Sequence, residues 1–268
     1  MPNLGELTSR QREILSLAQS VGRVSVEDLA ARFDVTPQTI RKDLSDLCDR
    51  RLLNRIHGGA IIASGVENVG YEARRFIAQD EKRLIGAAAA QLIQDDSSLF
   101  INIGTTTEEV ARALLGRKGL LVITNNLNVA TLLYPQPGID VIVAGGNVRR
   151  SDGGVVGSPA VDFINQFKVD YAVIGVSAID RDGSLLDFDY QEVRVSQAII
   201  ANARKVILVA DRLKLERAAP VRIAHISQID VFVTDRLPLE PLAQLCRDQR
   251  IEVIEVAPGE EESPPPED

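Results

Sequence analysis

The sequence predicts an α/β protein of two domains, a small amino-terminal one of three helices and a two-stranded hairpin and a larger one built on a mostly parallel sheet. Three observations carry that prediction. The 268 residues suit roughly two domains, one large enough for a substantial core. Over the first sixty positions apolar residues recur at helical spacing and then switch to alternation. From Ser98 onward short β-branched runs alternate with helical stretches, the pattern of parallel strands covered by helices on both faces.

In the amino-terminal region Ile14, Leu15, Leu17, Ala18 and Val21 fall at helical spacing, with Ser9 expected as the cap and a stop near Gly22. After a short Val24-Ser25-Val26 stretch, Ser25 caps a second helix whose Leu29, Ala30 and Phe33 share a face. Thr36-Pro37 places a cap ahead of proline at the first helical position and opens a third helix reaching about Arg50. Its Ile40, Leu44 and Leu47 stripe turns inward, which leaves Gln38, Thr39, Arg41, Lys42 and Ser45 on other faces. Leu52 to His57 alternates like a strand, and Gly58-Gly59 lets Ala60-Ile61-Ile62 return beside it. Residues 7–62 therefore read as a winged helix-turn-helix. Two readings fit this face: Gln38, Thr39, Arg41, Lys42 and Ser45 meeting a major groove of double-stranded DNA, with Arg51, Arg55 and His57 beside its backbone, or a small helical domain with a solvated charged face.

Charge tempers this reading before other residues restore it. The chain carries a formal net charge of −8, yet residues 1–62 hold nine Lys and Arg against eight Asp and Glu. Asp43 lies on the third helix itself; since phosphates would repel it, its carboxylate is expected to turn toward the domain and pair with an arginine.

Residues 63–75 are expected to form a linker, through the small and polar Ser64 to Gly70, although helical periodicity already resumes at Tyr71 and runs to about Ile93. The second domain is placed at 76–257, with strands expected at Leu99–Ile103, Leu120–Ile123, Asp140–Val143, Tyr171–Val176, Lys205–Val209, Val231–Val233 and Ile251–Val256. Residues 258–268, rich in Pro and Glu, read as a solvated acidic tail without packed structure. The longest apolar runs are far too short for a membrane span, the amino end has no secretory pattern, and a cytoplasmic protein without membrane contact is expected. Cys48 and Cys246 stand far apart, outside any metal-ligand spacing, and are expected to be buried small hydrophobes; no metal or cofactor is implied.

Polar groups follow several strands: Gly104-Thr105-Thr106-Thr107, Thr124-Asn125-Asn126, Gly145-Gly146, Ser177 to Asp180, and Asp211. In open parallel sheets ligands bind beyond the carboxyl ends of the strands, so these ends are expected to converge on one pocket. Gly104 to Thr107 opens a helix, where free N–H groups and a positive helix end suit a phosphate. No Gly-x-Gly-x-x-Gly follows a strand and no Gly-x4-Gly-Lys-Ser/Thr occurs, which points to a small ligand rather than a nucleotide.

Thr36-Pro37-Gln38-Thr39-Ile40-Arg41-Lys42-Asp43-Leu44, followed by Arg55-Ile56-His57-Gly58-Gly59-Ala60, resembles the winged helix-turn-helix signature of the DeoR family of bacterial transcriptional repressors. The resemblance runs from about Thr8 to Val256, through Ile101 to Thr106, Thr124 to Ala130, Ala144 to Gly146, Asp152 to Gly154, Asp162 to Ile164 and Asp182 to Arg194. It implies a second domain resembling ribose-5-phosphate isomerase in fold, which senses a phosphorylated metabolite and makes a homodimer or homotetramer. Likeness to the family's glycerol-metabolism branch implies sn-glycerol 3-phosphate as inducer. Motifs and resemblance together nominate Gly104, Thr105, Thr106, Thr107, Asn125, Asn126, Gly145, Gly146, Asp152, Asp187, Asp189, Glu192 and Lys214 for the effector. The chain departs from the family in two places: Asp211-Arg212-Leu213-Lys214-Leu215-Glu216-Arg217 replaces Asp-Ser-Ser-Lys-Phe-Gly-Arg, and Lys42 stands where arginine is common.

Two alternatives are weighed: a repressor of this type sensing another sugar phosphate, and an isomerase-like or deaminase-like enzyme fused to a DNA-binding module. Isomerisation needs a base and an electrophile, usually lysine. Where isomerases of this fold carry a lysine followed by glycines, the chain reads Leu186-Asp187-Phe188-Asp189-Tyr190-Gln191-Glu192. His225 has no carboxylate or nucleophile beside it in sequence, so no catalytic residue is nominated and no enzyme is expected.

Overall fold

The computed structural model describes residues 7–21, 23–50, 52–56, 58–62, 71–237 and 240–256. The chain divides into two compact units, Met1–Ile77 and Ala78–Asp268.

In the first unit α1 (Ser9–Val21), β1 (Arg23–Ser25), α2 (Val26–Phe33) and α3 (Pro37–Asp49) precede β2 (Leu53–Ile56) and β3 (Gly59–Ile62). Thr8 rather than Ser9 caps α1. Its Oγ1 accepts from the Gln11 amide at 3.1 Å while Gln11 Oε1 accepts from the Thr8 amide at 3.2 Å, a reciprocal box that Ser9, with Arg12 three residues on, cannot make. Ser25 and Thr36 cap α2 and α3 as expected, accepting from the amides of Asp28 at 3.0 Å and Thr39 at 3.3 Å. The strands pair antiparallel in the order β1-β3-β2, and the approach of β1 dictates a glycine: a Cβ on Gly59 would lie 2.0 Å from the Val24 carbonyl oxygen. Ile14, Leu29, Ile40, Leu44, Leu47 and Leu53 form the core, so the stripe read from the sequence is the buried one.

The periodicity from Tyr71 to Ile93 resolves into two helices, α4 (Tyr71–Phe76) and α5 (Gln79–Gln91), broken at Ala78, whose φ is 50°. α4 belongs to the first unit, and Ile77 packs against its core. The division therefore falls after Ile77, part of the expected linker is helical, and residues 63–70 lie outside the described residues.

The second unit continues through β4 (Ser98–Ile101), α6 (Thr105–Ala113), β5 (Leu120–Thr124), α7 (Leu127–Leu133), β6 (Ile139–Val143), β7 (Asn147–Val148), β8 (Val155–Val156), α8 (Ser158–Ile164) and β9 (Val169–Ile174). There follow β10 (Ala178–Ile179), β11 (Ser184–Asp187), α9 (Tyr190–Ala201), β12 (Ala203–Val209), β13 (Val221–His225), β14 (Val231–Thr234), α10 (Leu242–Asp248) and β15 (Glu252–Glu255). Seven strands make one sheet in the order β15-β14-β12-β9-β4-β5-β6, every pair parallel, and each corresponds to a run read from the sequence. Alternate residues feed two cores: Phe100, Ala172, Ile174 and Leu208 on one face, and Leu99, Ile101, Val173 and Ile207 on the other. The antiparallel β7–β8 pair and the small β10-β11-β13 sheet lie outside it.

After β4 the chain builds outward through β5 and β6, then returns to the other flank of β4 with β9. In open parallel sheets such a reversal is where a ligand crevice forms, which places it beyond the carboxyl ends of β4 and β9. Cys246 is buried in the adjoining core and Cys48 is half-buried in the first unit; burial raises both thiol pKa values. No helix among the described residues is long and apolar enough to cross a membrane, and the acidic tail lies outside them.

Candidate functional site

In the first unit α3 presents Gln38, Arg41, Lys42 and Ser45 to solvent, with Thr39 half-buried and its hydroxyl 3.0 Å from that of Thr36. Asp43 turns inward as expected: Arg10 Nε donates to its carboxylate at 2.6 Å and Gln11 Nε2 at 3.3 Å. Gln11 Nε2 also donates to Asp46 at 3.3 Å, so two of the carboxylates that dilute the positive face are drawn toward α1. Arg55 is exposed on β2 and donates to the Arg41 carbonyl at 3.3 Å, which ties the hairpin to the middle of α3. Arg51 and His57 lie outside the described residues. What remains is a rigid helix whose outer face carries donors and positive charge without a competing carboxylate from Asp43.

The crevice of the second unit is built from strand ends. Beyond β4, Asn102 is buried, donating from Nδ2 to Ser196 Oγ at 2.9 Å and accepting from the Ile103 amide at 2.7 Å. Gly104 turns the chain with φ 151°, where a Cβ would meet Thr107 Oγ1 at 3.3 Å, and α6 begins there without a side-chain cap. Thr105 and Thr106 follow in its first turn, both buried. On the flank of β12, Asp211 Oδ1 accepts from the Leu213 amide at 3.2 Å, while its Oδ2 is buried with no hydrogen-bond partner among the described residues. Lys214 sits half-buried on the short 3-10 turn Arg212–Glu216, and the Arg217 guanidinium lies 5.8 Å from the centre of the Phe188 ring.

A residue that sequence reasoning missed organises the opposite flank. Arg149 donates from Nε and Nη2 to the two oxygens of Asp152 at 2.9 and 2.7 Å, from Nη1 to Asp189 at 2.5 Å and from Nη2 to Glu192 at 2.5 Å. Loop 145–154 is thereby tied to the start of α9, where Asp189 also accepts from the Gln191 amide at 2.8 Å as the helix cap. Burial works against the charge on Arg149, but the hydrogen bonds to Asp152 and the charges of Glu192 and Asp152 outweigh it and raise its pKa. Glu192 is pushed up to about 7 by burial first and by the Asp187 charge second, against the pull of Arg149. Asp187 accepts from the Phe188 amide at 2.6 Å and has no cation at ion-pair distance among the described residues.

Several nominated residues, and His225, also make contacts within the chain. Thr107 is fully buried, and its hydroxyl bonds the carbonyls of Asn102 and Gly104 at 2.8 and 2.7 Å, so it closes the turn. Asn126 caps α7 through the Asn128 amide at 2.9 Å and donates to Glu108 at 3.1 Å. Gly145 is exposed, where a Cβ would meet nothing within 4 Å, and Gly146, at φ 153°, makes room for Val155 and Val156. Asn125 donates from Nδ2 to the Val155 carbonyl at 3.1 Å, leaving a buried Oδ1 with no partner among the described residues. His225 bonds Ser227 Oγ and the Asp182 carbonyl, each at 2.8 Å, and so fixes a turn. Among the described residues no group of three or more His, Cys, Asp or Glu is arranged to hold a metal ion.

The match to known families follows these two units. Residues 10–66 match the DeoR-like helix-turn-helix domain and residues 77–236 the DeoR C terminal sensor domain. The chain belongs to the DeoR family of DNA-binding transcriptional repressors. It is 44% identical to the glycerol-3-phosphate regulon repressor of Escherichia coli (strain K12) over 92% of this chain and 98% of that one. It is 41% identical to the HTH-type transcriptional repressor CsqR of the same strain, over 94% of this chain and 97% of that one. Among solved structures it is similar to ribose 5 phosphate isomerase A from Neisseria gonorrhoeae, with a TM-score of 0.38 and 14% identity over 51% of this chain and 53% of that one. The DeoR helix-turn-helix match covers the wing expected from the sequence, and the sensor match begins at the residue after which the two units divide.

Proposed function

We propose that this DeoR-family repressor is released from its operator by a phosphorylated polyol, sn-glycerol 3-phosphate, bound at the strand-tip crevice. The observation that carries this reading is the alignment, at 44% identity and in the same domain order, with nearly the whole of the Escherichia coli glycerol-3-phosphate regulon repressor. CsqR, at 41%, is a repressor with another name, so the second reading is the same device tuned to a different sugar phosphate.

The local chemistry supports an anion and its hydroxyls in one crevice. The uncapped start of α6 at Gly104, with Thr105 and Thr106, offers amides and hydroxyls to a phosphate. Lys214 supplies charge from the turn after β12, and Asp187, Asp189 and Glu192 supply acceptors. Carboxylates around an arginine, with no lysine among residues 186–192, suit recognition without turnover.

Repression then follows from geometry. A homodimer or homotetramer sets two copies of α3 on half-sites about 34–36 Å apart, or a multiple of that. The inducer must bind the DNA-competent and incompetent arrangements with different free energies; a coupling of about 1–3 kcal/mol changes operator affinity about 5–150-fold.

Reciprocity is the test. Titration of glycerol 3-phosphate into the protein alone and into its operator complex should give affinities that differ by the same factor by which the compound weakens operator binding; equal affinities reject the scheme. Arg41→Ala should cost about 1–3 kcal/mol of operator binding, lower the salt dependence and leave inducer affinity unchanged. Conversion of any sugar phosphate on incubation with the protein would revive the enzymatic alternative.

A further inference from the structure

Around Arg149 the charges do not balance. One guanidinium faces Asp152, Asp189 and Glu192 directly, and Asp187 adds a further carboxylate close enough to raise the Glu192 pKa, with no cation of its own among the described residues. Asp152 and Glu192 are buried, and Arg149 is itself only 23% exposed, so water screens little of this excess. The four carboxyl groups set more oxygen atoms along this wall than one guanidinium has N–H groups, so the wall is rich in acceptors.

A second observation points the same way and does not depend on the acids. Asn125 is fully buried at the end of β5, and its Nδ2 is fixed on the Val155 carbonyl, on the same loop whose Gly154 amide is held by Asp152 at 3.2 Å. The orientation leaves Asn125 Oδ1 without a donor among the described residues. A buried acceptor left unpaired costs free energy unless something outside the chain satisfies it. Asn125 Oδ1 is thus one more acceptor beside this loop, and with the carboxylates it suits hydroxyls better than a phosphate.

We infer that Arg149 is a specificity-determining residue that holds Asp152, Asp189 and Glu192 in register as the hydroxyl-reading end of the crevice, so that the ligand must carry vicinal hydroxyl groups at the end remote from its phosphate. This rests on the sensor reading above and adds a division of the crevice: the α6 start takes the anion, and the Arg149 cluster selects the polyol. The planar fork of arginine is what lets one side chain serve three carboxylates, and lysine, a point charge on a flexible stem, cannot reproduce it.

The experiment is calorimetric titration of the full chain with sn-glycerol 3-phosphate and, separately, with n-propyl phosphate, which has the same phosphate and carbon count but no hydroxyl. The chain as it stands should prefer glycerol 3-phosphate by about tenfold to a hundredfold, the range for hydrogen bonds to charged groups. Arg149→Lys and Arg149→Ala should bring that ratio close to one while n-propyl phosphate binds as before; the lysine variant guards against loss of folding in the alanine one. Equal affinities in the unaltered chain, or a ratio unchanged in Arg149→Lys, overturn the hydroxyl assignment and leave the sensor reading standing. Failure of both compounds to bind the unaltered chain overturns the sensor reading and this inference with it.

Discussion

The two units solve the problem of presenting polar groups in opposite ways. In the first, the working groups stand outside a dry core: Arg41, Lys42 and Ser45 are exposed, and Ile40, Leu44 and Leu47 on the same helix are fully buried. In the second, the groups proposed to meet the ligand lie inside: Thr105, Thr106, Asp152, Asp187 and Glu192 are all buried. A surface reader needs only a stiff scaffold, because water solvates its charges until DNA replaces it. A buried receptor must hold charge away from water, so every group there needs a partner from the chain or from a ligand.

The sharpest way to break the comparison is to remove one central group from each unit. Leu44→Ala deletes a fully buried side chain from the small core and should cost about 2–5 kcal/mol, melting the first unit early while the sensor still binds its ligand. Arg149→Ala should cost about 3–5 kcal/mol, through carboxylates left without their cation, and this loss should fall on the second unit alone. Hydrogen exchange resolved by segment reads both results, and a common melting of the two units in either variant would refute their independence.

The next effect separates the units by pH. Glu192 has its pKa raised from 4.5 to about 7, so the folded sensor holds a proton that the unfolded chain releases. This contribution to stability is complete below 4.5 and is lost as pH rises through about 7, a change of up to about 3 kcal/mol. The second unit should therefore melt lower at pH 8 than at pH 5 by this contribution. Glu192→Gln, neutral throughout, should flatten that slope, and an unchanged slope in the variant would assign it to other groups.

Legibility in the sequence follows how local the interactions are. The α3 stripe, the Thr36-Pro37 start and all seven strands of the main sheet depend on spacing along the chain, and each is readable from it. The inward turn of Asp43 is readable too, because phosphate repulsion leaves such a carboxylate one direction, although its partner Arg10 is 33 positions away. Arg149 is readable only in part: Asp152, three positions on, is a local partner, but Asp189 and Glu192, which make it the centre of a cluster, lie 40 and 43 positions on. Thr107 and Asn126 have two readings for the converse reason. Side chains that bind phosphate or sugar also close turns and cap helices, and only the contacts separate the two uses.

The smallest predicted effect tests the rigidity ascribed to the reading unit. Thr8 and Gln11 exchange hydrogen bonds at the start of α1, and Gln11 Nε2 also reaches Asp43 and Asp46 on α3. Thr8→Ala removes only the cap and should cost about 1 kcal/mol of first-unit stability, with operator affinity nearly unchanged. Gln11→Ala removes the cap partner and the link to α3 together, so it should cost more and also weaken operator binding, because Asp43 and Asp46 lose a donor that draws them toward α1. Ser9→Ala should be neutral in both assays. A loss in Ser9→Ala equal to that in Thr8→Ala would return the cap to Ser9, and equal operator affinity in Thr8→Ala and Gln11→Ala would mean that Arg10 alone suffices to hold Asp43 away from the DNA.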